Sequence, residues 1–273
     1  MLSTGCAWAL AGCPVGSRQW RHGAHGGGSG RRVRRLGAST LAVALAVRAS
    51  LRSGLCVAVD AEPDGGLDVT AGVEHLPGLR WPDLAASRGG VDGAALLADL
   101  PGQDSVRVLS GGGVARAPGS VESGLERGAL AEAPAATRRQ VVAALAEVCA
   151  LTVLDLGRHL DLVDLCTDVV VVSGTTARQL ADATALCRGG VLDLGRSLVV
   201  LRTTGREGIP AREVADHLGL PLAGVLGDDP RVRRDEVRAV MPGSRARGVV
   251  AGAADRLLDL VAGRGHAAYG VGA

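Results

Sequence analysis

The chain has 273 residues, a mass of 27.5 kDa and a formal net charge of +2 at pH 7. Its 47% hydrophobic content and mean hydropathy of +0.23 exclude a wholly disordered protein, and the small net charge gives no strong signal for nucleic-acid binding. No apolar run approaches the roughly 18 residues of a transmembrane helix, and the scattered cysteines suit a reducing compartment. We therefore expect a cytoplasmic protein with a core of Leu, Val and Ala.

Residues 1–36 differ in composition from the rest of the chain. A glycine- and histidine-rich stretch at 22–30 precedes a basic cluster at 31–35. The cluster could contact nucleic acid or acidic lipid, but a solvated leader is the favoured interpretation. We expect residues 1–36 to be disordered, or to be mis-assigned through a wrong start or a reading-frame error.

The segment that follows is a loop entering a helix. Gly37 permits the turn, and Ser39 and Thr40 stand where a helix N-terminus exposes unpaired N–H groups, which suits a phosphate. In the phosphate-loop template G-x-x-x-x-G-K-[ST], Gly37 takes the second glycine and Ser39 the hydroxyl that ligates Mg²⁺. Ala38 falls at the lysine and Arg32 at the first glycine. The chain contains no lysine at all.

From Gly37 onward, apolar runs alternate with helical patterns, which is typical of a mostly parallel sheet flanked by crossover helices. The predicted strands are 55–60, 106–110, 151–156, 168–173, 198–201 and 222–226, and the predicted helices are 39–52, 93–100, 137–150, 175–188, 211–218, 234–240 and 248–262. A phosphate loop follows a central strand, but no stretch from residue 17 to 35 has strand character. The first strand of the sheet is therefore expected to be missing.

Several segments together resemble the ParA/MinD superfamily of deviant P-loop ATPases, and most closely its CpaE-like, septum-site-determining branch in actinobacteria. They are 36–42 with Gly-Ala-Ser-Thr, 57–69 continuing to Gly-Leu-Arg-Trp-Pro-Asp-Leu at 78–84, the Walker-B-type strand 153–156 with its neighbour 168–172, and the late strand 219–226. The resemblance covers about 36–262 and implies one P-loop NTPase domain over 37–273. The receiver-like N-terminal domain of the family has no counterpart in the sequence.

The resemblance also implies ATP and Mg²⁺ as cofactors. Residues 37–40 would offer N–H groups and hydroxyls to the phosphates, and Ser39 and Asp155 would hold the metal. Asp60, at a strand end, would position the attacking water or the metal. The alternative for both acids is the solvated end of a sheet strand.

The absence of the loop lysine predicts weak or absent ATP hydrolysis, because a lost charge on the transferring phosphoryl group costs on the order of a hundredfold in rate. Arg34 or Arg35 could replace the charge of the lysine. Neither can replace a glycine in an anion-binding loop, because both are bulky and disfavour positive φ.

By resemblance, the protein is a nucleotide-dependent regulator of septum placement or of Tad-type pilus or secretion assembly. Its partners would be cell-division or pilus proteins, it would form a homodimer, and it would reach the membrane or septum through partners. A non-catalytic pseudo-ATPase interaction module is the alternative, favoured by Ala38 and Arg32, whereas Asp60 and Asp155 favour the regulator. Segment 253–260 is amphipathic but not basic, so we expect it to pack on the sheet.

Two further sets of polar residues could suggest catalysis, but the sequence favours a structural role for one and does not support the other. Arg158, His159 and Asp161 follow a strand closely enough to suggest an acid–base cluster, although surface turn chemistry is favoured. Ser110 and Ser173 have no histidine at a recognisable spacing, so the sequence does not support a hydrolase triad.

Overall fold

The computed structural model describes residues 7–12, 36–62, 66–85, 89–111, 133–157 and 159–269, with only the backbone for 7–12 and 264–269. Within them, eight strands form one sheet: β1 (Ala7–Gly12), β2 (Cys56–Asp60), β3 (Gly102–Gln103), β4 (Val106–Leu109), β5 (Leu151–Asp155), β6 (Asp168–Ser173), β7 (Ser197–Arg202) and β8 (Leu222–Leu226). Their order is β3-β4-β2-β5-β1-β6-β7-β8, and each neighbouring pair is parallel except β3 with β4. The predicted α/β class and mostly parallel sheet are confirmed.

The helices of the described chain are α1 (Ala38–Ser53), α2 (Leu67–Ala71), α3 (Trp81–Leu84), α4 (Gly93–Asp99), α5 (Ala135–Val148), α6 (Ala177–Arg188), α7 (Ala211–Leu218), α8 (Pro230–Val237) and α9 (Val249–Tyr269). Every residue of β2 and β5 is buried, so both faces of the sheet are covered at its centre. None of these helices is both long enough and apolar enough to cross a bilayer.

The expectation that the first strand is missing is wrong. β1 lies in the middle of the sheet, parallel to β5 on one side and to β6 on the other. The strand was missed for two physical reasons: its residues are mostly small, which gives a weak strand signal, and residues 13–36 separate it from the loop. Residues 1–6 and 13–35, which include the basic cluster 31–35, lie outside the described residues.

α1 is the central helix of the domain. Its run from Leu41 to Val47 is completely buried, and the helix packs on β5, β2 and α9. Ion pairs join α1 to α9 at the rim: Arg48 with Asp255 at 2.9 Å, Arg52 with Asp255 at 2.7 Å and Arg52 with Asp259 at 2.6 Å. α9 also packs on β8, which confirms the predicted packing of segment 253–260.

Two helices begin earlier than predicted, because residues before the predicted starts cap them or occupy their first turn. α8 begins at Pro230 rather than at 234, because Asp229 accepts a hydrogen bond from the N–H of Arg231 and proline suits the first helical position. α5 begins at Ala135 after Pro134, two residues before the predicted start. Both corrections extend a predicted helix towards its N-terminus and leave the topology unchanged.

Candidate functional site

The start of α1 lies at the edge of the sheet where the parallel strands end. A Cβ atom on Gly37 would be 3.5 Å from Leu226, the last residue of β8, and 3.8 Å from Arg202, the last residue of β7. Ser39 hydrogen-bonds to Asp155, the last residue of β5. Open α/β sheets bind ligands at this edge.

Gly37 shapes the N-terminus of α1 as predicted. Its φ of 85° is in the left-handed region, and its carbonyl accepts the first helical bond, from the N–H of Leu41 at 2.9 Å. No side chain caps this helix, and within the described chain the N–H groups of Ala38, Ser39 and Thr40 have no hydrogen-bond acceptor. Three N–H groups at the positive end of a helix dipole form a site for an anion.

The two predicted acids lie side by side. Asp60 and Asp155 are direct register partners at the ends of β2 and β5, and the N–H of Ala61 donates to the carbonyl of Asp155 at 2.9 Å. Their side chains are almost completely buried, with exposures of 5% and 6%. The register of the parallel sheet brings together residues that are far apart in the sequence.

Ser39 and Asp155 form the pair predicted to hold Mg²⁺. The Ser39 hydroxyl donates a hydrogen bond to the Asp155 carboxylate, which also accepts one from the N–H of Gly157. Burial raises the pKa of Asp155, the two hydrogen bonds oppose the rise, and the charge of Glu62 adds to it. A cation placed between the hydroxyl and the carboxylate would stabilise the ionised acid.

These residues fit Mg²⁺ better than a metal that needs a full protein cage. Among the described residues, no group of three or more histidine, cysteine, aspartate or glutamate side chains is arranged to hold a metal ion. Mg²⁺ keeps several of its waters and takes only one or two protein oxygens besides phosphate oxygens. A serine hydroxyl next to a buried carboxylate meets that requirement.

Both carboxylate oxygens of Asp60 are occupied by backbone hydrogen bonds, which its predicted catalytic role does not require. One carboxylate oxygen accepts from the N–H of Glu62 at 3.0 Å and the other from the N–H of Leu67, the first residue of α2, at 3.1 Å. Burial, followed by the charges of Asp155 and Glu62, raises its pKa to about 7. Asp60 therefore anchors the chain between β2 and α2 and carries a proton over part of the neutral range.

The backbone next to Asp60 is held by the segment 78–84, which has the sequence Gly-Leu-Arg-Trp-Pro-Asp-Leu. The indole N–H of Trp81, whose side chain is 1% exposed, donates to the carbonyl of Asp60 at 2.6 Å. Arg80 reaches the buried Asp68 at 3.4 Å, and the hydroxyl of Ser110 donates to the same carboxylate at 3.2 Å. The most distinctive sequence motif is therefore a structural support for the site.

The suggested acid–base cluster does not form. His159 lies 3.9 Å from Glu62, whereas Asp161 pairs with Arg138 at 2.9 Å. Arg158 lies outside the described residues. Each member of the proposed cluster that is described has a different partner.

The serine hydroxyls also make other contacts. Ser173 is buried and donates to the carbonyl of Gly174, and Ser110 donates to Asp68 as described above.

Sequence reasoning missed Glu62, Arg138 and Arg202. Arg138 donates to the carbonyl of Ala61 at 3.3 Å, and Arg202 pairs with Asp228 beside the start of α1. One local signal points to Arg202: it ends a strand of buried residues, so it falls at the edge of the sheet where ligands bind. Its proximity to Gly37 depends on the sheet order and has no local pattern.

Comparison with protein-family models finds no match. Two curated sequences from Mycobacterium tuberculosis strains, both called uncharacterized proteins, are each 32% identical to this chain over 237 residues. The match covers 86% of this chain and 63% of each relative, so the chain spans less than two thirds of their length.

Solved structures similar to this one include those of ParA and MinD proteins. A ParA family ATPase from Chlorobium tepidum has a TM-score of 0.66 at 14% identity, over 94% of this chain and 98% of that one. The septum site-determining protein MinD of Pyrococcus horikoshii, complexed with Mg-ADP, has a TM-score of 0.65 at 18% identity, over 93% and 96%. The MinC:MinD complex of Aquifex aeolicus gives 0.62 at 14%, over 93% and 97%. The chain therefore has the fold of the ParA/MinD ATPases.

Proposed function

We propose that the chain is a nucleotide-binding regulator of the ParA/MinD type, from the CpaE-like branch. One observation carries the proposal: the Ser39 hydroxyl at the start of α1 reaches the buried Asp155 carboxylate at the end of β5. This contact puts a metal-ligating pair beside three N–H groups that lack an acceptor among the described residues. The ligand that uses both features is a nucleotide with its Mg²⁺.

The residues would divide the work according to their positions. The N–H groups of residues 38–40 would bind phosphate oxygens, and Ser39 and Asp155 would hold Mg²⁺, which supplies positive charge to the phosphates. Gly37 leaves room for the ligand because it carries no side chain. Asp60 would hold the chain after β2 in place through its two backbone hydrogen bonds.

Hydrolysis in this chain should be weak. The chain has no lysine, so the charge that stabilises a transferring phosphoryl group in related ATPases is absent from the loop. Both carboxylate oxygens of Asp60 already accept backbone hydrogen bonds, which limits its capacity to orient a water molecule. Binding and release of nucleotide, more than turnover, would then set the state of the protein.

By analogy with the relatives of this fold, the protein would act in septum placement or in Tad-type pilus or secretion assembly. The MinD of Aquifex aeolicus in complex with MinC supports the idea of a protein partner. We propose a homodimer formed around nucleotide, in the cytoplasm, that reaches the membrane or the septum through its partners.

Calorimetric titration with Mg-ATP tests the proposal. The chain should bind Mg-ATP. Asp155→Asn and Ser39→Ala should each lower the affinity for Mg-ATP by roughly tenfold or more. When EDTA replaces Mg²⁺, each substitution should lower the affinity for ATP by a smaller factor, because both residues act through the metal. Ser50→Ala is the matched control, because Ser50 is in the same helix and its hydroxyl donates to the carbonyl of Val47. It should bind like the wild type.

A folded wild-type chain that fails to bind Mg-ATP would contradict the proposal. The favoured function would then be the pseudo-ATPase interaction module, which keeps the fold and the partner surfaces. Binding that is equally strong in Asp155→Asn and in the wild type would instead show that the nucleotide sits elsewhere.

A further inference from the structure

Arg202 lies beside the candidate phosphate site without belonging to the phosphate-loop motif. It is the last residue of β7, at the edge of the sheet where the start of α1 lies. Its Nη1 atom is 3.8 Å from the position that a Cβ on Gly37 would take, and its Nη2 atom pairs with Asp228. The guanidinium therefore stands next to the residue that begins the anion site.

The guanidinium of Arg202 has unused hydrogen-bonding capacity. An arginine has five N–H donors. Within the described ranges, the side chain of Arg202 donates only to Asp228, and that bond uses only the Nη2 nitrogen. Its side chain is 23% exposed, so Nε and Nη1 are partly shielded from water, and among the described residues neither atom donates a hydrogen bond. A partly buried cation in this situation is ready for an anionic ligand.

Two other arginines near the site are held by protein groups on the side where Asp60 and Asp68 lie. Arg138 is almost buried and is held by Asp161 and by the carbonyl of Ala61. Arg80 is held by Asp68 and by several backbone carbonyls. Both arginines therefore stabilise the side of the site that contains Asp60.

We infer that Arg202 binds the phosphate groups of a nucleoside triphosphate and supplies the positive charge that Ala38 leaves out of the loop. The inference rests on the proposed nucleotide site. Asp228 pairs with Nη2 of the guanidinium, and a phosphate bound at residues 38–40 gives Nη1 and Nε their acceptor. Arginine suits this role because its planar fork can donate two parallel hydrogen bonds to a phosphate.

The experiment compares the binding of ATP, ADP and adenosine, each with Mg²⁺, by calorimetry. Arg202→Ala should lower the affinity for ATP by roughly 10- to 100-fold, lower that for ADP less, and leave that for adenosine unchanged. Arg202→Lys should recover part of the ATP affinity because it restores the charge. Arg206→Ala is the matched control, since Arg206 is an exposed arginine in the connection after the same strand, and it should bind ATP normally.

Arg202→Met preserves the packing of the side-chain stem if the alanine variant folds poorly. Circular dichroism of each variant establishes that it is folded before titration. An equal loss for ATP and adenosine would overturn the inference, because Arg202 would then hold the site together or contact the base. Unchanged ATP affinity in a folded Arg202→Met variant would also overturn it, while the proposed nucleotide site would stand. A wild type without ATP binding would remove both.

Discussion

The two halves of the candidate site obtain their geometry in different ways. In the acid half, Asp60 and Asp155 accept hydrogen bonds from backbone N–H groups and, for Asp155, from the hydroxyl of Ser39. In the loop half, residues 38–40 and Arg202 present donors for which the described chain has no acceptor. The protein satisfies the hydrogen bonds of the first half, and we propose that a ligand satisfies those of the second.

The difference follows from the sheet. The register of β2 against β5 puts the two acids opposite each other, and the indole of Trp81 holds the backbone there, so the acid half forms without a ligand. Helix N-terminal N–H groups cannot be satisfied within their own helix. We therefore expect changes in the acid half to alter stability most, and changes in the loop half to alter ligand affinity most.

Trp81→Ala should give the largest loss of stability. The side chain is 1% exposed and donates to the carbonyl of Asp60, so its removal leaves a cavity and a buried carbonyl without its donor. The free energy of unfolding should fall by about 3–5 kcal/mol, measured by urea denaturation followed by circular dichroism. Trp81→Phe keeps most of the volume and should lose about 1–3 kcal/mol. Equal losses in the two variants would mean that the lost indole hydrogen bond, and not packing, accounts for the effect of Trp81.

Asp60→Asn should change how stability depends on pH. The pKa of Asp60 is raised from 3.8 to about 7, mainly by burial and then by Asp155. Between these values the folded protein keeps a proton that the unfolded chain has lost, so this group makes stability fall as pH rises from about 4 to 7. In buffer with EDTA, the wild type should lose on the order of 3 kcal/mol more than Asp60→Asn between pH 5 and pH 8.

Parallel pH profiles of the two proteins would contradict this interpretation of Asp60. The comparison between them is needed because other acids act in the opposite direction. Burial raises the pKa of Asp255, but the hydrogen bonds and charges of Arg48 and Arg52 outweigh burial and lower it overall. Asp255 therefore stabilises the folded protein above its unfolded pKa, and this stabilisation is lost on acidification. The difference between wild type and variant cancels the contribution of acids away from Asp60, such as Asp255, and keeps that of Asp60 with its neighbour Asp155.

Much of the fold could be predicted because its signals are local. β2 and β5 are short apolar runs that end on an acid, and their ends were placed to within one residue. β1 could not be found in this way, since its Ala- and Gly-rich sequence is a weak strand former and gains its place only by pairing with β5 and β6. Non-local pairing carries the information that the sequence pattern lacks.

The site divides along the same line. Gly37 and Ser39 belong to one short motif, and a strand end indicates Asp155, so these residues could be named from the sequence. The contact of Trp81 with the backbone of Asp60 spans 21 positions, and the position of Arg202 beside Gly37 depends on the order of the strands. Such contacts arise from the topology and leave no pattern in neighbouring residues.

Gly37→Ala should give the smallest change in stability. The left-handed φ of 85° costs a residue with a side chain about 1–2 kcal/mol, and the contacts of the new methyl group, at 3.5 Å and 3.8 Å, are ordinary ones. Gly219→Ala is the matched control, because Gly219 ends α7 with a φ of 69° and has open space around it. Urea denaturation should give similar losses for both variants, and calorimetry should show weaker Mg-ATP binding for Gly37→Ala alone. Equal affinities in the two would mean that the start of α1 does not bind the phosphates, and the division into two halves would fail.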